Sequence, residues 1–297
     1  MISVIVITFN SEKFIGACLD SVFRQDCPGL KVIVIDNGSQ DNTRNIIKRS
    51  YPQASLIINE DNLGSCRARN QGIELSCSEW VLCLDCDTIL EDNFFIEANK
   101  IISFAEPDLG MFQPKILKYD KKTIFSCGLH LSWFRRFRDL GRNKVDCGKY
   151  NFPKHIFGAS SACVFYRRKM LEDIKENTGY FDQRFFFLVE DVDLSWRANN
   201  KGWKACLFPN LKCYHVSDSC GLNKKIRQFF CFRNRYYSIA KNEGIPKYLV
   251  KILPALFYDL PRILFLLLTN PYVYNYPINK KAQKMHENSI SSTHCLS

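Results

Sequence analysis

With 297 residues, 46% hydrophobic and 24% charged, the chain has globular composition and room for one large domain or a domain with an appendage, not a disordered or fibrous chain. Its net charge of +11 is uneven: residues 221–288 hold twelve Lys and Arg against Glu243, Asp259 and Glu287, whereas residues 1–220 hold 29 basic against 27 acidic residues. No basic leader precedes the first apolar run, so a signal peptide is not expected, and a reducing compartment follows.

The fourteen cysteines fit that setting. Cys83, Cys163 and Cys206 lie in strand-like runs, where a reduced thiol packs as a small hydrophobe. Cys83 and Cys86 have a zinc-like spacing but no second pair.

The first ninety residues alternate strand and helix patterns. Ser3-Val-Ile-Val-Ile-Thr8 reads as a strand covered on both faces. Phe14, Ile15, Cys18, Leu19, Val22 and Phe23 then recur at helical spacing, with Asn10 or Ser11 as the cap. Lys31-Val-Ile-Val-Ile-Asp36 is a second buried strand, followed by a helix near 41–50. A third strand is expected at 55–58, a helix at 65–75, and a fourth strand at 80–84 that ends on Asp85-Cys-Asp87. Such alternation predicts a mostly parallel sheet flanked by helices, with ligands beyond the carboxyl ends of the strands. There Thr8 and Asn10, Asp36 and Asn37, residues 59–62, and Asp85 and Asp87 gather along one edge. Each is also an ordinary turn former.

Residues 105–150 look less regular and carry a basic aromatic patch, Trp133-Phe-Arg-Arg-Phe-Arg138, readable as a loop over the site or as a solvated face. Gly158-Ala-Ser-Ser-Ala-Cys-Val-Phe165 is a turn entering a strand. Glu190-Asp-Val-Asp193 opens a helix, and a short strand at 203–208 precedes His215. The apolar stretch 248–269 is broken by Pro254, Asp259, Pro261 and Arg262, and falls below the roughly twenty apolar residues of a span. It reads as one or two basic-flanked interfacial helices on an anionic membrane surface, or as a hairpin packed on the catalytic domain. Nucleic acid is not the expected partner.

Asp85 and Asp87, two apart at a strand end, point the same way in extended geometry. Close carboxylates repel unless a cation lies between them, and hard oxygen ligands select Mg²⁺ or Mn²⁺ shared with phosphates. Glu190 and Asp191 sit at a helix N-terminus, where the macrodipole favours the ionised form that a general base requires; plain capping is the alternative. No glycine-rich dinucleotide or P-loop motif follows the first strand.

Ser3-Val-Ile-Val-Ile-Thr-Phe-Asn10, Val32-Ile-Val-Ile-Asp-Asn-Gly-Ser39, Asn62-Leu-Gly64 and Leu84-Asp-Cys-Asp-Thr88, in that order, resemble family-two glycosyltransferases. Gly158-Ala-Ser-Ser161, Phe181-Asp182, Glu190-Asp-Val-Asp-Leu-Ser-Trp-Arg197 and Arg233-Asn-Arg-Tyr-Tyr-Ser-Ile-Ala-Lys-Asn242 resemble its rhamnosyltransferase-like branch. The resemblance spans about residues 1–243. It implies a GT-A fold, a Rossmann-like α/β architecture of nucleotide-diphospho-sugar transferases, over residues 1–220. Residues 1–104 would form the nucleotide-binding half, 105–220 the acceptor-binding half, and 221–297 a helical membrane-associating tail.

It further implies inverting transfer from a UDP- or dTDP-linked sugar to an acceptor hydroxyl; the basic, apolar tail, not the resemblance, adds the expectation of a glycan or lipid-linked acceptor at the cytoplasmic face of the cell membrane. Thr8, Asn10, Asp36, Asn37, Asn62, Arg67 and Asp85 would bind the donor, with Asp36 near base or ribose. Asp85, Asp87 and His215 would hold Mg²⁺ or Mn²⁺, although Val216-Ser-Asp replaces the glycines that often follow that histidine. Asp191 would take the acceptor proton, with Glu190 the alternative base. Cys86 is expected to face away from its flanking aspartates as packing. A sugar-nucleotide nucleotidyltransferase is the competing activity, but it needs a glycine-rich basic loop where residues 8–16 offer only Lys13 and Gly16. A non-catalytic membrane-bound scaffold of the same fold is the third reading.

Overall fold

The structure, a computed structural model, describes residues 1–216, 223–244 and 252–270. In chain order its elements are β1 (Ile2–Thr8), α1 (Ile15–Phe23), β2 (Lys31–Asn37), α2 (Thr43–Ser50), β3 (Ser55–Asn59), α3 (Ser65–Leu75) and β4 (Trp80–Asp85). The short strand β5 (Thr88–Leu90), α4 (Phe94–Ser103), β6 (Leu109–Lys118), β7 (Ile124–Ser126), β8 (Leu129–Leu131), β9 (Phe137–Asp139) and β10 (Lys154–Ile156) follow. The chain then forms β11 (Cys163–Arg167), α5 (Arg168–Ile174), α6 (Glu190–Asn200), β12 (Lys204–His215), α7 (Lys224–Asn242) and α8 (Ile252–Thr269).

One sheet runs in the order β10-β12-β6-β11-β4-β1-β2-β3. Strands β3, β2, β1 and β4 are mutually parallel, as are β6 and β12, while β11 runs antiparallel between β4 and β6. The alternating sides of each strand explain the unbroken apolar runs. Val4, Val6, Leu82 and Leu84 pack with α1 residues Cys18, Leu19 and Val22 on one face. Ile5, Val81 and Cys83 pack with Ile73 of α3 and Leu194 of α6 on the other. A strand between two helical layers must be apolar on both sides.

Elements of the first ninety residues fall where the periodicity puts them. Further on, two expectations are corrected. The region 105–150 holds β6, ten residues long and central to the sheet. Gln113 and Lys115 broke its apolar pattern, yet both are buried, with Lys115 bonded to Asp146 and Asn151. The short strand expected at 203–208 is β12, which runs on to His215 across a register shift between Phe208 and Lys212. A bulge keeps pairing alive past Pro209, which has no N–H for the ladder.

Of the region expected as a tail, residues 223–244 and 252–270 are described and hold two helices; the rest of 221–297 lies outside the described residues. Helix α7 packs along α6, and Lys241 near its end meets Asp182 and Asp193 at 3.0 Å each. Helix α8 is tied to α7 by Arg235 on Asp259 at 2.8 Å and by the Asn270 amide on the Lys225 carbonyl at 2.8 Å. Its opposite side leaves Phe257, Leu260, Leu264, Phe265 and Leu268 exposed. Among the described residues no helix is long and apolar enough to cross a membrane, and every cysteine is a free thiol.

Candidate active site

A cavity of about 510 Å³ opens at the carboxyl ends of β1, β2 and β4. This is where the strand order reverses: the chain moves from β1 outward to β2 and β3, then returns to place β4 on the other side of β1. Thr8, Asn37, Asn62, Asp85, Asp87, Glu190, Asp191 and His215 line it. Residues expected from six separate stretches of sequence therefore share one wall.

Asp85 and Asp87 are brought together by a turn, not by extended strand geometry, because β4 stops at Asp85 and β5 begins at Thr88. Antiparallel pairing of β5 with β12 sets Thr88 opposite His215. The imidazole Nε2 stands 3.3 Å from Asp87 Oδ1 and 3.9 Å from Asp85 Oδ2. One ligand atom from each of the three residues lies within 4.8 Å of the others. The His215 ring stacks on Phe125 at 4.1 Å, which fixes its plane. Two carboxylates and one imidazole, mostly buried and convergent, are a donor set that fits a divalent ion.

Cys86 packs against the core as expected, but it does not face away from the site. The turn brings it to the cavity wall, with its Sγ 3.1 Å from Ser11 Oγ. A strand would have pointed it away; a turn does not.

On the far side, Asp191 Oδ1 accepts from its neighbour Val192 N–H at 2.8 Å, and Oδ2 from Ser161 N–H at 3.3 Å. Its environment reverses the expectation from the macrodipole. Burial, reinforced by the Glu190 carboxylate, pushes the Asp191 carboxyl up to about 7. Desolvation outweighs the helix dipole. A carboxyl that titrates near neutrality is suited to proton transfer.

Arg69 joins the two halves of the site. It is almost fully buried, donating through Nη2 to Asp85 Oδ1 at 2.8 Å and through Nη1 to Glu190 Oε1 at 2.7 Å. Burial alone favours an uncharged guanidine, but Asp85 and Glu190 together hold it firmly charged. In return, although burial opposes it, Arg69 and His215 hold the Asp85 carboxyl below its ordinary range.

Asn10, Asp36 and Arg67 stand outside the cavity wall. Asn10 accepts from Gln40 N–H at 2.8 Å and, at φ 49°, locks the β1 loop to the β2 loop. Asp36 is fully buried and paired with Arg44 at 2.6 Å. Arg67 is exposed, and Arg69 occupies the position in the wall expected for it. The helical period held the signal: Ser65 and Arg69 are one turn apart and both bond Glu190, whereas residue 67 points away. The aromatic patch is divided. Phe137 and Arg138 line the cavity, while Trp133 and Phe134 are exposed. Ile226, Arg227, Phe230 and Cys231 of α7 complete the wall, a contribution no local pattern announced.

Comparison with known proteins agrees with this geometry. Poly-beta-1,6-N-acetyl-D-glucosamine synthase of Staphylococcus epidermidis is 25% identical over 219 residues, covering 72% of this chain and 49% of that protein. The Staphylococcus aureus enzyme of the same name is 23% identical over 218 residues. The chain thus spans about half the length of the synthases it matches. Among solved structures, GalNAc-T7 with UDP, GalNAc and Mn²⁺ superposes with a TM-score of 0.61 at 12% identity, over 98% of this chain and 54% of that one. The mannosyltransferase PcManGT from Pyrobaculum calidifontis, with GDP-Man and Mn²⁺, gives 0.57 at 17% identity, over 100% and 75%. S. aureus TarS 1–349 gives 0.55 at 20% identity, over 97% and 78%. These likenesses establish the GT-A fold. The sequence pattern of the family described as "Glycosyl transferase family 2" matches residues 3–175, more than half of the chain, and the chain belongs to that family.

Proposed function

We propose that the protein is an inverting glycosyltransferase that moves a sugar from a UDP- or dTDP-linked donor to a hydroxyl of a glycan or lipid-linked acceptor. The observation that carries this is the placement of Asp191 in the same cavity as the Asp85, Asp87 and His215 cluster. The acceptor oxygen attacks the anomeric carbon, the bond from that carbon to the diphosphate breaks, and the hydroxyl proton passes to Asp191. Asp191 is the better base than Glu190, because Glu190 Oε1 already accepts from Arg69 and Ser65. Thr8, Asn37 and Asn62 face the nucleoside end, with Asn37 oriented by bonds to Asn62 Oδ1 at 2.9 Å and Leu63 N–H at 3.1 Å.

Asp85, Asp87 and His215 would hold the divalent ion, which neutralises charge on the departing diphosphate. The imidazole in the set favours Mn²⁺ over Mg²⁺, which prefers oxygen ligands and retained water. Two of the solved relatives were obtained with Mn²⁺. The synthases point to an N-acetylhexosamine as the first sugar to test, ahead of the rhamnose suggested by sequence motifs.

Membrane attachment belongs to the same proposal. Phe257, Leu260, Leu264 and Leu268 lie three or four apart on α8, forming one apolar stripe, and Phe257 and Leu268 are 87% and 86% exposed. A helix packed on protein by its polar Asp259 and Asn270, with its apolar side outward, suits the interface of an anionic bilayer. The deciding experiment is a donor screen reading nucleoside diphosphate release with Mn²⁺ and Mg²⁺. Release with one donor and an acceptor, abolished in Asp191→Asn, is expected; release that is unaffected by Asp191→Asn overturns the base assignment.

A further inference from the structure

The segment leading into α6 has a backbone that its own side chains disfavour. Phe186, Leu188 and Val189 have φ of 63°, 66° and 72°, the left-handed region that bulky and β-branched residues rarely adopt. Such conformations persist only where surrounding structure over-determines them. Val189 immediately precedes Glu190 and Asp191, so its conformation sets where both carboxylates project.

The determining contacts come from α7. Asn234, fully buried, directs its side-chain nitrogen at the carbonyl oxygens of Phe185, Phe187 and Leu188, at 3.1, 2.9 and 2.7 Å. An amide nitrogen carries two hydrogens, so three acceptors use its whole donor capacity. Arg233 sets the amide's orientation by donating to Asn234 Oδ1 at 2.8 Å, and its own guanidinium donates to the Arg184 and Phe185 carbonyls at 3.0 Å each. From the nucleotide side, Ser65 N–H donates to the Phe186 carbonyl at 2.9 Å. Gly64, at φ 83°, admits this approach because a Cβ there would come within 2.6 Å of the Phe186 ring. The segment is thus clamped between α3 and α7.

We propose that Asn234 is a positioning residue for the transfer reaction. It gathers three backbone carbonyls, holds Phe186, Leu188 and Val189 at their positive φ, and so presents Asp191 to the cavity without itself touching substrate. This rests on the assignment of Asp191 as base. It makes α7 a working part of the catalytic site, separate from any role of the tail at a membrane.

The test compares wild type, Asn234→Ala, Asn234→Asp and the double variant Val189→Gly/Asn234→Ala. Misplacing a base by about 1 Å costs on the order of 100-fold in rate. Asn234→Ala is therefore expected to lower kcat about 100-fold while the Kd for the nucleoside diphosphate with Mn²⁺ stays within about twofold. Asn234→Asp, which faces the three carbonyls with a carboxylate, should be at least as slow. Glycine adopts positive φ without penalty, so Val189→Gly should recover part of the rate in the Asn234→Ala background.

Amide hydrogen exchange supplies a readout that does not need activity. Exchange across 183–192 should accelerate in Asn234→Ala while β1 and β4 stay protected. Wild-type kcat in Asn234→Ala overturns the proposal, as does unchanged exchange in 183–192. So does a loss of nucleotide binding as large as the loss of kcat, which signals a structural role only. If wild type transfers no sugar at all, the assignment of function fails on its own, and the exchange measurement still decides whether Asn234 holds the segment.

Discussion

Arg69 and Asp85, sixteen residues apart, meet in a 2.8 Å ion pair that ties the end of β4 to the start of α6, because the same guanidinium also holds Glu190 at 2.7 Å. Removing one partner of a buried pair leaves an uncompensated charge, typically worth about 3–5 kcal/mol. Arg69→Ala should therefore lower the melting temperature by several degrees or more and abolish nucleotide binding. Arg69→Lys should retain part of the stability but lose activity, since an ammonium cannot bridge two carboxylates in fork geometry. Thermal melts and turnover of the two variants check both statements.

Asp191→Asn should lower kcat by about 10²–10⁴-fold with little change in donor affinity, the range for loss of a general base. In wild type the carboxyl titrates up at about 7 because of burial and the nearby Glu190 carboxylate. Activity needs the ionised form, so kcat/KM should rise with pH, fall away about tenfold per unit below the limb, and level above it.

Stability should move the other way. The folded Asp191 keeps a proton that the unfolded chain has already released, so its contribution is fully present below the ordinary carboxylate range and is lost as pH rises through about 7. Asp191→Asn removes that loss. Its melting temperature should exceed that of wild type at pH 8 and converge with it near pH 4. Melts across that range check the sign.

His215→Ala removes the nitrogen ligand and should raise the Mn²⁺ concentration for half-maximal activity by about tenfold or more. Asp87→Asn should do the same. With wild type, UDP or dTDP plus Mn²⁺ at 100 times Kd should stabilise the fold by about 2.7 kcal/mol, and a chelator should reverse it. A thermal shift identical with and without metal argues against the cluster.

Replacing Phe257, Leu264 and Leu268 together by Glu should leave the fold intact, because all three are exposed. It should release the protein from vesicles containing anionic lipid. Flotation of wild type and variant with equal recovery contradicts the interfacial assignment of α8.

Much of this was legible in the residues. The apolar runs of β1, β2 and β4 alternate between two helical layers, and burial on both faces is written directly into side-chain type. The polar ends of those strands, Thr8, Asn37 and Asp85 with Asp87 just beyond, could be placed along one edge because parallel strand polarity gathers them there; the resemblance to family-two glycosyltransferases, not the periodicity, added the nucleotide-sugar reading and Asp191. Local pattern failed where a partner from elsewhere decides the outcome. The region 105–150 looks irregular because β6 carries Gln113 and Lys115 in its buried run, and only the folded chain brings Ser126 and Asp146 to satisfy them.

Arg67 and Arg69 are two apart and differ only in which helix face meets Glu190, so local sequence does not separate them. The helix dipole at Asp191 is a local property readable from sequence, whereas the desolvation that raises its carboxyl depends on everything packed around it. The layered α/β architecture and the edge at which polar strand ends gather follow from short-range periodicity and are legible in the residues alone. Which arginine bridges Asp85 and Glu190, how Asp85, Asp87 and His215 converge through a turn, and that α7 reaches back to hold the segment before α6 are settled only by the fold. Those are long-range contacts, set by packing and shared hydrogen bonds rather than by any stretch of chain.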